Sequence, residues 1–247
     1  MRYYEAILEL KCFSASDLIK HTGNKESTIY SLLQDYMRKG YVKQIRRNLY
    51  AAVSLETGAP VASSYQIASK ITPTSYVSHR SAFSYYGYVD QVSYEMFISS
   101  ESNFRDFEFA DVDFHCIMSK CNLGIVEIQG VRVTDIERAV IDYINQFDRI
   151  GGLEELLKGL DMIPYLSEEK LMTYLRFYNK SFLYQKAGYI LGHFQKELKL
   201  GDNFIQECAE KKAKSIRYFT EAIPKNKLVY DKKWGLMVPK TLLHTIE

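Results

Sequence analysis

Three side chains at alternating positions, Asp111, Asp113 and His115, could hold a metal ion or take part in acid–base catalysis. If this segment is a β-strand, the three share one face, because successive side chains of a strand point to opposite sides. Apolar residues fill the intervening positions, so the pattern also fits the solvated face of a sheet. A metal-dependent enzyme is therefore the minor alternative, and we expect a protein that is not an enzyme and uses no cofactor or metal.

The segment Ser78-His79-Arg80-Ser81 is a second candidate for chemistry. Catalytic triads are assembled from distant segments, so a serine beside a histidine in sequence rarely acts as a nucleophile with its base. We expect Ser78 to cap a helix, and His79 and Arg80 to lie on the surface. The sequence contains no glycine-rich phosphate loop and no G-x-S-x-G or H-E-x-x-H motif, and its four cysteines lack the spacing of a zinc site.

Nucleic-acid binding has stronger support, beginning with the segment KESTIYSLLQDYMRKG at 25–40. Its apolar residues recur at the spacing of a helix that buries one face. The opposite face carries short or flexible polar side chains that can reach base edges and phosphates, although a merely solvated helix face would have the same pattern. The predicted base contacts are Ser27, Thr28, Ser31 and Gln34, and the predicted phosphate contacts are Lys25 and Arg38.

Two short helices are predicted before this one. Ser14 and Asp17 have the spacing of a capping box, which marks the start of the second helix, and Gly23 marks its end. After the third helix, GYVKQIRRNLYAAV predicts a hairpin with Arg46 and Arg47 at its tip. Three helices followed by a hairpin are typical of a winged helix-turn-helix, in which the third helix enters the major groove. We therefore predict a DNA-binding domain at 1–58, whose hairpin is the wing and contacts DNA through Arg46 and Arg47.

Charge is distributed unevenly along the 247 residues, whose net charge is +2. Residues 1–53 contain nine Lys/Arg and five Asp/Glu, whereas residues 61–150 contain seven and twelve. A basic N-terminal part suits an anionic partner such as DNA. The later basic run Lys211–Arg217 is either a solvated face or a second surface for phosphates or an acidic partner. No signal peptide or long apolar run is visible, which favours a cytoplasmic protein without a membrane partner.

The remaining chain, 59–247, is expected to form a larger domain of mostly antiparallel sheet packed with helices, which makes the protein α+β. The predicted strands are Tyr94–Glu101, Phe107–Met118, Gly124–Gln129, Val131–Asp135 and short strands near Leu228–Tyr230 and Gly235–Val238. The predicted helices are 61–71, 77–87, one capped by Thr134, and then 153–160, 167–178, 180–198 and 203–212.

Several motifs together resemble the AbiEi-type antitoxins of bacterial type IV toxin–antitoxin systems. They are the hairpin GYVKQIRRNLYA, the segment TPTSYVSHRSAFSYYGY, the segment VRVTDIERAVIDYI and the late stretch YDKKWGLMV. The resemblance extends over nearly the whole chain, and its first two motifs carry most of it. By position, Lys43, Arg46 and Arg47 match the basic wing of that family, with Asn48 where such wings often have glycine.

The resemblance implies a transcriptional autorepressor whose winged helix binds repeated sites in its own promoter as double-stranded DNA. It also implies that the C-terminal domain is required to neutralise a nucleotidyltransferase-like toxin, without a stable toxin–antitoxin complex. Dimerisation or cooperative binding is expected for a repressor that acts on paired sites. A solitary regulator without a toxin partner stays open, because the sequence does not show the neighbouring genes.

Overall fold

The N-terminal part of the chain folds into three helices and a small sheet. In the computed structural model, which describes residues 3–89, 91, 93–220 and 223–240, β3 lies between β1 and β2 and pairs antiparallel with both. The elements are α1 (Tyr4–Leu10), β1 (Cys12–Phe13), α2 (Ala15–Thr22), α3 (Glu26–Arg38), β2 (Val42–Arg46) and β3 (Leu49–Ala52).

Both ends of α2 follow from local sequence. The Ser14 side chain accepts a hydrogen bond from the Asp17 amide, and the Ser14 amide donates to Asp17 Oδ2 at 2.8 Å, so the predicted capping box is confirmed. Gly23 ends the helix with φ +67°, in the left-handed region that glycine adopts readily. Only Gly23, Asn24 and Lys25 then connect α2 to α3.

One apolar core joins these helices to the sheet. Ile29, Leu33 and Tyr36 of α3 are buried, at positions that the helical spacing predicts. They pack in one cluster with residues of α1, α2 and the sheet, namely Ile7, Phe13, Ala15, Leu18, Val42, Tyr50 and Ala52. Burying one large apolar side chain is worth about 1.5–3 kcal/mol. This core therefore holds α3 with its polar face directed to solvent.

The second sheet has six strands and is mixed. In its order β6-β7-β5-β4-β9-β8, β5 is parallel to β7 and β4 to β9, whereas β6–β7 and β4–β5 are antiparallel. Its strands and the two helices of the same stretch are α4 (Ser64–Ala68), β4 (Tyr76–Val77), α5 (His79–Tyr85), β5 (Glu95–Ser100), β6 (Phe107–Phe109), β7 (Val112–Met118), β8 (Ile125–Ile128) and β9 (Val131–Thr134). The α+β class is confirmed. The expectation of mostly antiparallel pairing is met only in part, because the chain forms edge strand β6 before returning as β7, so β5 and β7 run in the same direction.

The segment Phe107–Met118, which we predicted as one strand, is the hairpin of β6 and β7. Ala110 and Asp111 form its turn, with φ +51° and +61°. Two successive residues with positive φ are typical of a tight hairpin turn, and alanine is a rare residue there. Apolar and polar residues alternate on both sides of the turn, with one interruption at Phe109-Ala110, and this short interruption hid the reversal.

The rest of the described chain is mainly helical and ends in a third sheet, in which β12 lies between a parallel β10 and an antiparallel β11. The elements are α6 (Ile136–Gln146), α7 (Gly152–Met162), α8 (Glu168–Tyr178), α9 (Ser181–His193), α10 (Asp202–Lys211), β10 (Arg217–Tyr218), β11 (Leu228–Asp231) and β12 (Leu236–Pro239). The predicted cap Ser167 is confirmed, whereas α6 is capped by Asp135 instead of Thr134.

The chain packs as two units. The first comprises Met1–Val77, Ser93–Lys120 and Glu127–Val133, and the second comprises the remaining residues from Ser78 onward. The first unit thus contains both the N-terminal helices and most of the mixed sheet, while the domain boundary at residue 58 stays a prediction. Within the residues that the structure describes, no helix has the length and apolar composition needed to cross a bilayer.

Candidate nucleic-acid interface

The four predicted base-contacting residues lie on α3 and are all exposed: Ser27, Thr28, Ser31 and Gln34. At 100° per residue, Ser27, Ser31 and Gln34 fall within one sector opposite the buried stripe, and Thr28 lies on its flank. Hydroxyl and amide groups on an exposed helix face can donate to or accept from base edges. The structure thus brings these residues together on a free helix surface.

The two predicted phosphate contacts of α3 lie at its opposite ends. Lys25 is the N-cap residue and is exposed. Arg38 is in the last turn, where its Nη2 donates to Asp35 Oδ1 at 2.7 Å, and Lys39 donates to the other oxygen at 2.6 Å. These hydrogen bonds lower the pKa of Asp35, and the bond from Lys39 has the largest effect. Exposed pairs of this kind contribute little, so Arg38 can exchange Asp35 for a phosphate at small cost.

The β2–β3 hairpin presents Lys43 and Arg47 to solvent. Arg47 and Asn48 form its turn, and Asn48 has φ +58°. The Asn48 side-chain oxygen also accepts a hydrogen bond from the amide of Ala15, at 3.2 Å, at the start of α2. Asparagine therefore does two things that glycine could not do together: it tolerates the left-handed backbone, and it attaches the hairpin tip to a helix.

Arg46 has a different environment from its neighbour. Its guanidinium carbon lies 5.5 Å from the ring centre of Phe104 and 5.7 Å from that of Phe107. Within the described residues, its Nη1 is buried and has no hydrogen-bond partner. Cation–π contacts at such distances are worth about 0.5–2 kcal/mol. Arg46 thus connects the hairpin to the mixed sheet of the same unit, while Arg47 is the exposed cation.

The residues of the minor enzyme alternative do not share one strand face. Asp111 lies in the turn before β7, whereas Asp113 and His115 are on the strand. His115 Nδ1 is 2.9 Å from Asp106 Oδ2, and its Nε2 is 3.7 Å from Glu95 Oε1. Partial burial acts to raise the pKa of Asp106, but hydrogen bonds from His115 and a backbone amide outweigh it and lower that pKa. In the described part of the chain, no group of three or more His, Cys, Asp or Glu side chains is placed to hold a metal ion.

His79 and Arg80 are buried, contrary to the sequence-based expectation. Ser78 is the N-cap residue of α5, but its side chain makes no capping bond; Ser78 Oγ instead lies 2.8 Å from His79 Nδ1. Arg80 forms a two-pronged ion pair with Glu155 of α7. Burial of Arg80 depends on a carboxylate 75 positions along the chain, and no local pattern reveals such a partner.

A second buried arginine lies in α6. Arg138 and Asp142 form an ion pair with side chains 0% and 1% exposed. Arg138 also donates to the Leu123 carbonyl at 2.8 Å and to the Tyr178 hydroxyl at 3.0 Å. Because its donors have these partners, the arrangement is the kind that stabilises a packed interior without exposing charge to a ligand.

Comparison with known proteins bears on the fold. No protein-family model and no curated protein matches the chain. The crystal structure of the Rv2827c protein from Mycobacterium tuberculosis is similar to it, with a TM-score of 0.68 over 99% of this chain and 93% of that chain. The identity between the two is 16%, so the similarity concerns the architecture alone.

Proposed function

We propose that the protein is a DNA-binding transcriptional autorepressor and the antitoxin of an AbiE-like type IV toxin–antitoxin system. The observation that carries the DNA-binding part is the exposed polar face of α3 in one unit with a hairpin that exposes Lys43 and Arg47. A helix face with donors and acceptors reads bases, while cations beside it hold the phosphate backbone.

The order of elements supports a winged helix-turn-helix. A connection of three residues, 23–25, between α2 and α3 is typical of helix-turn-helix units. With 13 residues, α3 is about 20 Å long, enough to lie along a major groove about 12 Å wide. In this proposal α3 is the recognition helix, and the β2–β3 hairpin is the wing.

The residues then have separate roles. Ser27, Thr28, Ser31 and Gln34 contact base edges, and Lys25 and Arg38 contact phosphates at the two ends of α3. Lys43 and Arg47 contact the backbone from the wing. Arg46 belongs to the same wing, and its contacts with Phe104 and Phe107 orient the hairpin so that Arg47 faces the DNA. Paired operator sites would be occupied by a dimer or by cooperative binding.

The DNA test is a fluorescence-anisotropy titration with duplex DNA from upstream of the protein's own reading frame. The double variant Lys43→Gln/Arg47→Gln should bind more weakly and reduce the slope of log K against log salt by about 1.8, since each phosphate contact contributes about 0.9. The matched control Arg149→Gln/Lys196→Gln removes the same charge from exposed positions of the other unit. Equal slopes for the two double variants would exclude the wing from binding.

Base reading is tested separately with Gln34→Ala. This variant should lose discrimination among operator mutants at one position, by about 1–3 kcal/mol if the contact is bidentate, while its salt slope stays unchanged. A uniform loss of affinity across all operator sequences would instead indicate that Gln34 contacts the DNA backbone.

The antitoxin part of the proposal rests on the resemblance in SHRSAFSYYGY and the other quoted motifs. A co-encoded nucleotidyltransferase-like protein should arrest growth when expressed alone, and the full-length chain should restore growth without forming a stable complex with it. If no such reading frame is adjacent, or if growth is not restored, the solitary winged-helix regulator is the better description.

A further inference from the structure

Positive charge is concentrated at the end of the described chain. Residues 211–240 contain nine Lys/Arg and two Asp/Glu, a net charge of +7, whereas the whole chain has a net charge of +2. All of these cations except half-buried Lys212 are exposed. A segment with this excess of exposed positive charge attracts polyanions. It lies far along the sequence from the proposed DNA-binding residues.

The third sheet, formed by β10, β11 and β12, carries aromatic residues on its outer face. Tyr218 and Tyr230 both pair with Met237 of the central strand, and paired residues point to the same face. The two tyrosines are 45% and 51% exposed. On the opposite face, Leu236 and Val238 are buried. Tyr218, Met237 and Tyr230 therefore form a solvent-facing row across the sheet.

The sheet that presents this row is firmly attached to α9. Trp234, which is 4% exposed, packs over Gly188 so closely that a Cβ there would collide with the indole ring. The Gln185 amide donates to the carbonyls of Trp234 and Gly235, the latter at 3.1 Å. The tyrosines thus stand on a preorganised support, which reduces the entropy lost when a ligand binds.

One cation lies beside the row of rings, and others are close to it along the chain. Lys225 Nζ lies 5.2 Å from the ring centre of Tyr218. Exposed lysines also flank β11, with Lys227 before it and Lys232 and Lys233 after it. Aromatic rings interleaved with cations on a sheet form a stacking platform, in which bases stack on the rings and phosphates meet the cations.

We propose that this third sheet binds single-stranded RNA, with bases stacked on Tyr218 and Tyr230 and phosphates held by the surrounding lysines. Duplex bases are already stacked on one another, so exposed rings favour unpaired strands. The tyrosine hydroxyls and the exposed amide of Asn226 supply partners for a 2′-hydroxyl, the group that distinguishes RNA from DNA. This binding is independent of operator recognition by α3.

The test uses the full-length protein and a labelled RNA of about twelve nucleotides, within the usual site size, in an anisotropy titration at low salt. Tyr218→Ala/Tyr230→Ala should weaken binding by at least about thirtyfold, as expected for the loss of two stacked bases. Tyr218→Phe/Tyr230→Phe keeps both rings and should bind with affinity much closer to that of the unmodified protein. Tyr165→Ala, which removes another exposed tyrosine (60%) from the same unit, is the matched control and should change nothing.

A salt series tests the phosphate contacts. Lys225→Gln/Lys233→Gln should reduce the slope of log K against log salt by about 1.4, because each contact to a single strand contributes about 0.7. Lys43→Gln/Arg47→Gln should leave RNA binding unchanged, whatever its effect on operator DNA.

Four results would overturn the proposal. They are absence of RNA binding at low salt, equal binding by the double-alanine and control proteins, equal affinity for single-stranded DNA of the same sequence, and equal affinity for duplex DNA of the same length. The third result would remove the assignment to RNA, and the fourth would remove stacking as the mode of binding.

Discussion

Stability should fall in mild acid because of His79. Its side chain is buried at the start of α5, where Ser78 Oγ meets Nδ1 at 2.8 Å. Among the described residues, its Nε2 has no hydrogen-bond partner. Burial lowers the pKa of His79 to about 4; the nearby charge of Asp142 acts in the opposite direction, and that of Arg138 acts in the same direction as burial.

The magnitude follows from linkage. The pKa of His79 is about 4 in the folded state and 6.5 ordinarily, so between these values the unfolded chain binds the proton that the folded protein excludes. The contribution of neutral His79 to the free energy of unfolding is fully present above pH 6.5 and is lost as pH falls towards 4. At about 1.4 kcal/mol per pH unit, the loss is about 2 kcal/mol at pH 5 and about 3.5 kcal/mol over the whole interval.

The assay is urea unfolding at about pH 7.5 and about pH 5, followed by fluorescence. Trp234 is the single tryptophan and lies in the same unit as His79, so it reports the relevant unfolding step. His79→Asn is the comparison, because asparagine does not ionise and tolerates the φ of +52° at this position. This variant starts from a lower stability, but between the two pH values it should lose about 2 kcal/mol less than the unmodified protein. Parallel losses in the two proteins would refute the assignment to His79.

Two further substitutions test how the second unit is held together. Gly188→Ala should destabilise this unit by about 1–3 kcal/mol through overpacking against Trp234. The fluorescence emission maximum should shift to the red, because the indole loses its contact with α9. An unshifted spectrum at full stability would show that the sheet does not pack on this glycine. Arg138→Met should cost about 3–5 kcal/mol, because it leaves the buried Asp142 carboxylate without its cation. Adding Asp142→Leu should recover part of that loss in urea unfolding. A double variant no more stable than the single one would contradict this explanation.

Features governed by near neighbours could be predicted from the sequence. The capping box of Ser14 and Asp17 and the left-handed end of α2 at Gly23 involve residues within one or two turns of each other. The apolar stripe of α3 is equally local, since a helix places residues three and four apart on one face. The predictions for these elements are confirmed for that reason, and so are the exposed positions of Ser27 and Gln34.

Predictions failed where a partner lies far along the chain. Nothing near Arg80 in sequence indicates that it is neutralised by Glu155, and nothing near Arg46 indicates that it lies over Phe104. Asp111 was assigned to a strand face because alternation says nothing about a reversal in direction. The missed contacts share one physical cause: burial of a charge depends on its tertiary neighbours, whatever the residue type.

The sequence by itself determined where most helices lie, the caps at Ser14 and Ser167, the α+β class and the basic character of residues 211–240, because composition and short-range periodicity suffice for these. Only the tertiary structure decided which strands pair in parallel, which of the two hairpin arginines is exposed, and that Tyr218, Met237 and Tyr230 form one row. Strand pairing joins segments through backbone hydrogen bonds that are nearly independent of side-chain identity. For this reason the sequence does not identify which residues become neighbours in a row across a sheet.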